Sequence, residues 1–373
     1  MMQGWHSGVN AQARLAAGND CRRSPDRRPA VTTAAGLLAI LDPPVSLLPE
    51  PTPLHLLPRI SEELGREVWI KRDDLTAVGV GGNKIRKLEF LLGEALDQGA
   101  DTLITIGAAQ SNHCRAVAAA AAVMGMDAHL VLGGSDPGSR TGNLLLDDYL
   151  GATLEFCDVD DWATLFARAE AAAQAVQQRG GVAFTMPAGG STPTGALGFA
   201  RAYAELIEQC DRQGLAPATV VHATGSGGTQ AGLIAGRELL GGGPAIVGVT
   251  VALEGSLMAP VVDAVADGAL ALVAQLAASS AGSGASPTDD ASGRRDPAVV
   301  IDGYLGADYG VPTEAGERAL TTLLRREGIL LDPVYTAKAF AAVLAMDPAL
   351  GDGPLVFWHT GGAPAVFAER GGH

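Results

Sequence analysis

One pattern constrains the fold of this chain more than any other. Strand-length apolar runs alternate with helix-length amphipathic ones from about Leu54 onward. Val68-Trp69-Ile70 reads as a strand; Ile85, Leu88, Leu92 and Leu96 then recur at helical spacing, with Gly99 placed to end that helix. Residues 102–106 read as a buried strand, 107–113 as a loop and 114–124 as an alanine-rich helix stopped by Gly125. Strands over 129–132, 182–184, 219–221, 246–251, 299–301 and 355–357, with helices over 162–178, 196–209 and 230–240, continue the alternation. Such a pattern predicts an α/β fold of mostly parallel sheet with helices on both faces.

At 373 residues the chain is long enough for two domains with full cores. Its net charge of −15 would repel nucleic acid and anionic membranes, so an anionic cofactor must be held by local donors. Cys21, Cys114, Cys157 and Cys210 lie far apart, with no metal-ligand spacing, which fits a reducing, cytoplasmic setting. The longest apolar runs noticed, 34–41 and 116–124, are too short to cross a membrane. Arg27-Arg28 precedes only a short apolar stretch broken by Asp42-Pro43-Pro44, which argues against an export signal. Residues 1–32 are expected to be a flexible tail, and the Ser-, Gly- and Asp-rich stretch 279–296 a flexible surface insertion.

Lys84 opens a helix behind the pair Gly81-Gly82. A lysine desolvated there favours the neutral amine, which can form a Schiff base. The segment Thr224-Gly225-Ser226-Gly227-Gly228-Thr229 joins a strand to a helix, so its backbone N–H groups and hydroxyls can converge on a phosphate. It matches neither a dinucleotide fingerprint nor a P-loop. Gln110-Ser111-Asn112-His113 leaves the carboxyl end of a strand, where it offers donors to a substrate carboxylate or simply caps the next helix. Tyr309 and Tyr335 can share protons in a dry site or be ordinary buried tyrosines. Gly361-Gly362, within His359 to Pro364, either admits a flat ligand or makes a plain turn. A Schiff-base lysine together with a phosphate cradle suggests pyridoxal phosphate.

These motifs occur in an order that resembles the D-cysteine desulfhydrase and 1-aminocyclopropane-1-carboxylate (ACC) deaminase family, over about 51–367. The resemblance also rests on Pro51-Thr52-Pro53-Leu54, Ile70-Lys71-Arg72-Asp73-Asp74 and Asp332 to Thr336. It implies a fold-type II pyridoxal-phosphate enzyme, similar to the tryptophan synthase β subunit, with two open twisted sheets. The large domain would comprise 33–88 and 202–373, the small domain 89–201, and a homodimer would be the assembly. By resemblance, Lys84 binds the cofactor aldehyde and later moves the substrate α-proton. Asn83, Lys87 and the 224–229 loop hold the cofactor, and Asn112 meets its ring 3-hydroxyl. Gln110, Ser111, Asn112 and His113 bind a small amino-acid substrate, with Ser111 near its carboxylate or acting as acid/base. Tyr309 and Tyr335 flank the reacting carbons, and Thr336 faces the pyridine nitrogen. ACC deaminases carry Glu at that last position, so Thr336 points to α,β-elimination, with D-cysteine the expected substrate. ACC deamination, L-cysteate sulfo-lyase activity and a non-enzymatic pyridoxal-phosphate carrier are the alternatives.

Overall fold

The computed structural model describes residues 33–159, 161–280 and 295–369. The 1–32 tail, with Cys21 and Arg27-Arg28, and most of the 279–296 insertion lie outside the described residues.

The chain opens with α1 (Ala34–Ile40), β1 (Leu54–Leu56), α2 (Pro58–Leu64) and β2 (Val68–Arg72), then α3 (Lys84–Asp97). A run of βα units follows: β3 (Thr102–Ala108), α4 (Asn112–Met124), β4 (Asp127–Gly133), α5 (Gly142–Tyr149), β5 (Thr153–Cys157), α6 (Trp162–Gln178) and β6 (Ala183–Met186). The remainder is α7 (Pro193–Gln213), β7 (Thr219–Thr224), α8 (Gly228–Leu239), β8 (Ala245–Thr250), α9 (Gly255–Ser280), β9 (Val299–Ile301), α10 (Glu314–Glu327), α11 (Thr336–Leu344) and β10 (Leu355–His359).

The strands form two sheets. The order β5-β4-β3-β6 is parallel throughout, whereas β1-β2-β10-β7-β8-β9 is parallel except for the antiparallel pair β1–β2. Each sheet is covered by helices on both faces, as near-continuous apolar strands such as Val220-Val221 and Val356-Phe357 require.

Several expectations need correction. Leu96 is exposed, because the last turn of α3 runs past the core that Ile85, Leu88 and Leu92 enter. The strands β1 and β5 and the helices α1, α2, α5, α9, α10 and α11 were not read from the sequence. Strand β5 alternates polar and apolar residues (Thr153, Glu155) and so lacks an apolar run. In α9, 24 residues from Gly255 to Ala278 form one helix long and apolar enough to cross a membrane, contrary to the expectation that no run reaches that length. Its Met258, Val262, Val265, Ala266, Ala269 and Val273 nevertheless recur at helical spacing and enter the core against α7 and α8. Asp263 and Asp267 on that helix receive Arg295, so the end of the expected insertion is tied down by ion pairs.

A buried charge network joins β2, α3, α7 and β10. The Arg86 guanidinium donates to Asp73 Oδ1 and Oδ2 (2.9 Å from NH2 and Nε) and to Glu205 Oε2 (2.8 Å). Lys71 Nζ donates to Glu205 Oε1 and Gln209 Oε1, and Trp358 Nε1 to Asp73 Oδ2 at 2.8 Å. Burial alone would raise the Glu205 carboxyl, but Arg86 and Lys71 hold it down at about 2.

That depression makes a stability prediction. A carboxyl lowered on folding stabilises the fold above its ordinary 4.5 and loses that contribution as pH falls toward about 2. Glu205→Gln leaves Arg86 and Lys71 short of a charge. Urea unfolding at neutral pH is expected to show a loss of about 3 kcal/mol, with a flatter dependence on acid than the parent; an unchanged midpoint would contradict the network's role.

Candidate active site

A cavity opens where the carboxyl ends of β3, β7 and β10 face the N-terminus of α3, the position that open α/β sheets use for ligands. Its wall includes Asn83, Lys84, Ser111, Asn112, His113, Thr224, Gly225, Ser226, Gly227, Thr229, Tyr309 and Tyr335. Residues far apart in sequence, from Asn83 to Tyr335, therefore meet in one cleft.

Lys84 stands at the first turn of α3, with Nζ 3.4 Å from Asn83 Oδ1. Burial first, then the charge of Arg115, push its amine down to about 8 against the pull of Asp332. Asn83 Nδ2 donates to Thr229 Oγ1 at 2.9 Å, which ties the lysine turn to the glycine loop. In that loop Gly227 has φ 82°, a left-handed conformation that costs glycine nothing and turns the chain into α8 beside the cavity.

Beside this loop, fully buried Lys87 donates to Gly189 O (3.0 Å) and Ser191 Oγ (3.1 Å). Among the described residues no carboxylate pairs with it. Burial, and then the Lys84 charge, lower its amine well below the ordinary range. Thr224 Oγ1 is buried without a hydrogen-bond partner among the described residues. A buried amine with no carboxylate partner, an unused hydroxyl and a glycine-lined helix start together fit a bound phosphate.

Ser111 caps α4, its Oγ accepting from Cys114 N at 3.2 Å. The same burial, with Lys84 and Lys87 nearby, holds His113 well below its ordinary value, so it is neutral. The hydroxyls of Tyr309 and Tyr335 hydrogen-bond to each other. Both are raised, chiefly by burial, and Tyr335 further by the neighbouring Tyr309. They are proton donors rather than bases at neutral pH.

Four expected residues stand off the cavity wall. Gln110 spends its amide on α5: Oε1 accepts from Asn143 N (2.8 Å) and Nε2 donates to Thr141 O (3.0 Å). Thr336 is fully buried and donates to Asp332 Oδ1 at 2.6 Å, so its hydroxyl is committed within its own turn. Lys87 and Gly228 lie just behind the wall, where Gly228 N donates to Ser191 Oγ at 3.2 Å. Conversely, Thr360, Gly189, Trp162 and Phe166 line the cavity and were not singled out as ligand contacts, while Gly361, read as open to a flat ligand, does line it. Thr360 and Gly361 lay in the 359–364 segment, where a turn was an equal reading. The strand end at Met186 followed by Gly189-Gly190-Ser191 was a signal of the same kind and went unread.

The family pattern described as "Pyridoxal-phosphate dependent enzyme" matches residues 45–361. The chain belongs to the pyridoxal-phosphate dependent enzymes. Among curated relatives, the D-cysteine desulfhydrases of Salmonella typhi and Salmonella newport (strain SL254) are each 41% identical over 336 residues, covering 87% of this chain and 96% of theirs. A solved structure described as an ACC deaminase homologue is 38% identical with TM-score 0.78, covering 89% of this chain and 96% of its own. A solved threonine deaminase from Solanum lycopersicum (isoform 2, processed form), at 17% identity and TM-score 0.60, covers 93% of this chain and 94% of its own and shares the fold. The resemblance read from the motifs is thus borne out, as are the fold class and the cofactor.

Two outcomes follow for this pyridoxal-phosphate enzyme. Only a neutral amine attacks an aldehyde, so attachment of pyridoxal phosphate to the cofactor-free protein should speed up as pH rises through about 8, read from visible absorbance. A Cβ at Gly228 would lie 2.6 Å from Ser191 Oγ and 2.8 Å from Lys87 Nζ. Equilibrium dialysis of Gly228→Ala should therefore show pyridoxal phosphate bound about tenfold more weakly.

Proposed function

We propose that this chain catalyses α,β-elimination from a small β-substituted amino acid, with D-cysteine as substrate and pyruvate, sulfide and ammonia as products. The observation that carries the reading is 41% identity, over 96% of their length, to relatives named D-cysteine desulfhydrase. The cleft around Lys84 is what such a reaction needs.

Pyridoxal phosphate bound there supplies an electron sink for the charge left when the substrate α-proton departs. Lys84 Nζ holds the cofactor and then carries that proton; an amine near 8 both takes and returns it close to neutral pH. Lys87 Nζ and the N–H groups of the 225–229 loop bind the phosphate, with Thr224 and Thr229 beside them. Ser111 Oγ, at the N-terminus of α4, orients the substrate carboxylate together with the Asn112 amide; neutral His113 adds no charge there. The Tyr309–Tyr335 hydroxyl pair gives a proton to the departing sulfur. Trp162 and Phe166 shield the cleft from water.

Thr336, which the resemblance sets beside the pyridine nitrogen, and Thr360, which lines the cavity, are both neutral residues and would offer that nitrogen a hydroxyl rather than a carboxylate. A neutral hydroxyl there suits expulsion of a thiolate, which leaves readily. Opening a cyclopropane ring asks for a deeper sink and a carboxylate partner. The likeness to an ACC deaminase homologue keeps ACC as the second reading. A cytoplasmic homodimer with no nucleic-acid or membrane partner completes the proposal; the acidic net charge supports the exclusion of polyanions.

Pyruvate release from D-cysteine, L-cysteine, L-cysteate, D-serine and ACC, with sulfide and sulfite followed in parallel, tests it. Sulfide and pyruvate from D-cysteine, with ACC inert, are expected. Turnover of ACC returns the chain to the deaminases, and sulfite from L-cysteate assigns it to the sulfo-lyases. Lys84→Ala should abolish elimination; wild-type turnover in that variant would sink the assignment.

A further inference from the structure

A directional chain of hydrogen bonds runs from the interior to the cavity wall. Arg115 on α4 is 1% exposed. Its NH1 and NH2 donate to Gly79 O and Gly81 O, in the loop that leads to Lys84, and its Nε donates to Asn143 Oδ1 at 2.9 Å. A guanidinium has donors and no acceptor. Whatever faces Arg115 Nε must therefore be an oxygen, which fixes the amide of Asn143.

Asn143, on α5 and completely buried, then has only Nδ2 to offer on its other side. That group donates to Gln110 O and to Asn112 Oδ1, each at 2.9 Å. Asn112 accepts through its oxygen and so is left with Nδ2, a donor, and Asn112 lines the cavity. The polarity of this last group is set, through Asn143, by a side chain that can only donate. Asn143 and Arg115 are absent from the cavity wall.

We propose that Asn143 and Arg115 are positioning residues whose hydrogen-bond relay presents the Asn112 amide as a donor to the ring oxygen of bound pyridoxal phosphate. The proposal rests on the reading that the cleft holds this cofactor with Asn112 beside its ring. Turned the other way, Asn112 would set a carbonyl oxygen against an oxygen that carries negative charge, replacing attraction by repulsion. An isolated asparagine has no reason to prefer one orientation; the relay supplies it at no entropic cost on binding.

Asn143→Asp is nearly isosteric. It keeps an acceptor for Arg115 but replaces the donor to Asn112 with a second acceptor. The cofactor-free variant is expected to unfold thermally near the parent, yet to bind pyridoxal phosphate about tenfold or more weakly, with a shifted visible absorption band in the holoenzyme. Asn112→Ala should show a similar loss of affinity, and Asn143→Asp/Asn112→Ala together should bind no worse than Asn112→Ala alone, because the first residue acts through the second. Parental affinity and spectrum in Asn143→Asp, or additive losses in the double variant, would overturn the relay. If Asn143→Asp fails to fold, Asn143→Ala is put through the same cycle with the same criteria. A parent protein without borohydride-reducible visible absorbance would overturn the cofactor reading itself, and the relay with it.

Discussion

The clamp on Arg86 is the interaction on which the rest of the site depends. Helix α3 brings Lys84 to the cavity wall and Lys87 just behind it, and two desolvated amines on one turn of helix repel each other. Between them in sequence, Arg86 points into the buried cluster of Asp73, Glu205 and Lys71, which holds the helix start against that repulsion. The same Asp73 reaches Trp358 on β10, and its backbone oxygen accepts from Gly82 N, so the turn before Lys84 and the strand end before Thr360 share one anchor. A buried ion pair of this kind contributes little net stability compared with apolar packing. What it contributes here is placement.

The chain is acidic overall, yet the cleft gathers Lys84, Lys87 and, behind them, Arg115. Lys87 donates to a carbonyl and a hydroxyl, and Asp332, though near, has its oxygens occupied by the N–H groups of Val334, Tyr335 and Thr336 and by the Thr336 hydroxyl. Asp332 at Lys84 and Asp147 at Arg115 offset the local positive potential only in part. After burial, which is the larger cause, that potential lowers the Lys84 amine toward about 8, and it leaves an opening for one anionic group. Attachment chemistry and phosphate binding thus arise from the same shortage of carboxylates.

Much of this was legible in the sequence because glycine and lysine mark backbone geometry and desolvation that few other contexts call for. Lys84 behind Gly81-Gly82 and the 224–229 loop were found from local pattern alone, and the structure brings them to one cavity. Thr336 and Gln110 stand off the cavity wall for a common reason. Each lies beside true wall residues in sequence, but a side-chain hydroxyl or amide can turn inward to satisfy a neighbouring group, and only the three-dimensional partners (Asp332 and Thr141) reveal which way it went. Helix α9 escaped notice because it is apolar around most of its circumference, so neither helical periodicity nor a charge break marked its ends.

The choice between eliminating a thiolate and opening a strained ring turns on how much negative charge the ring nitrogen side of the cleft can support. The side chains that reach the cavity from the end of β10 and the 332–336 turn are neutral: Thr360, the protonated Tyr335 and the protonated Tyr309 opposite it. The Asp332 carboxyl is raised by burial, and its oxygens are taken up by the N–H groups of its own turn and the Thr336 hydroxyl. A cleft built this way stabilises a modest sink and keeps two protonated hydroxyls beside it. That combination favours a good leaving group over a poor one, because a thiolate departs without a deep sink and a hydroxyl pair stands beside the cleft.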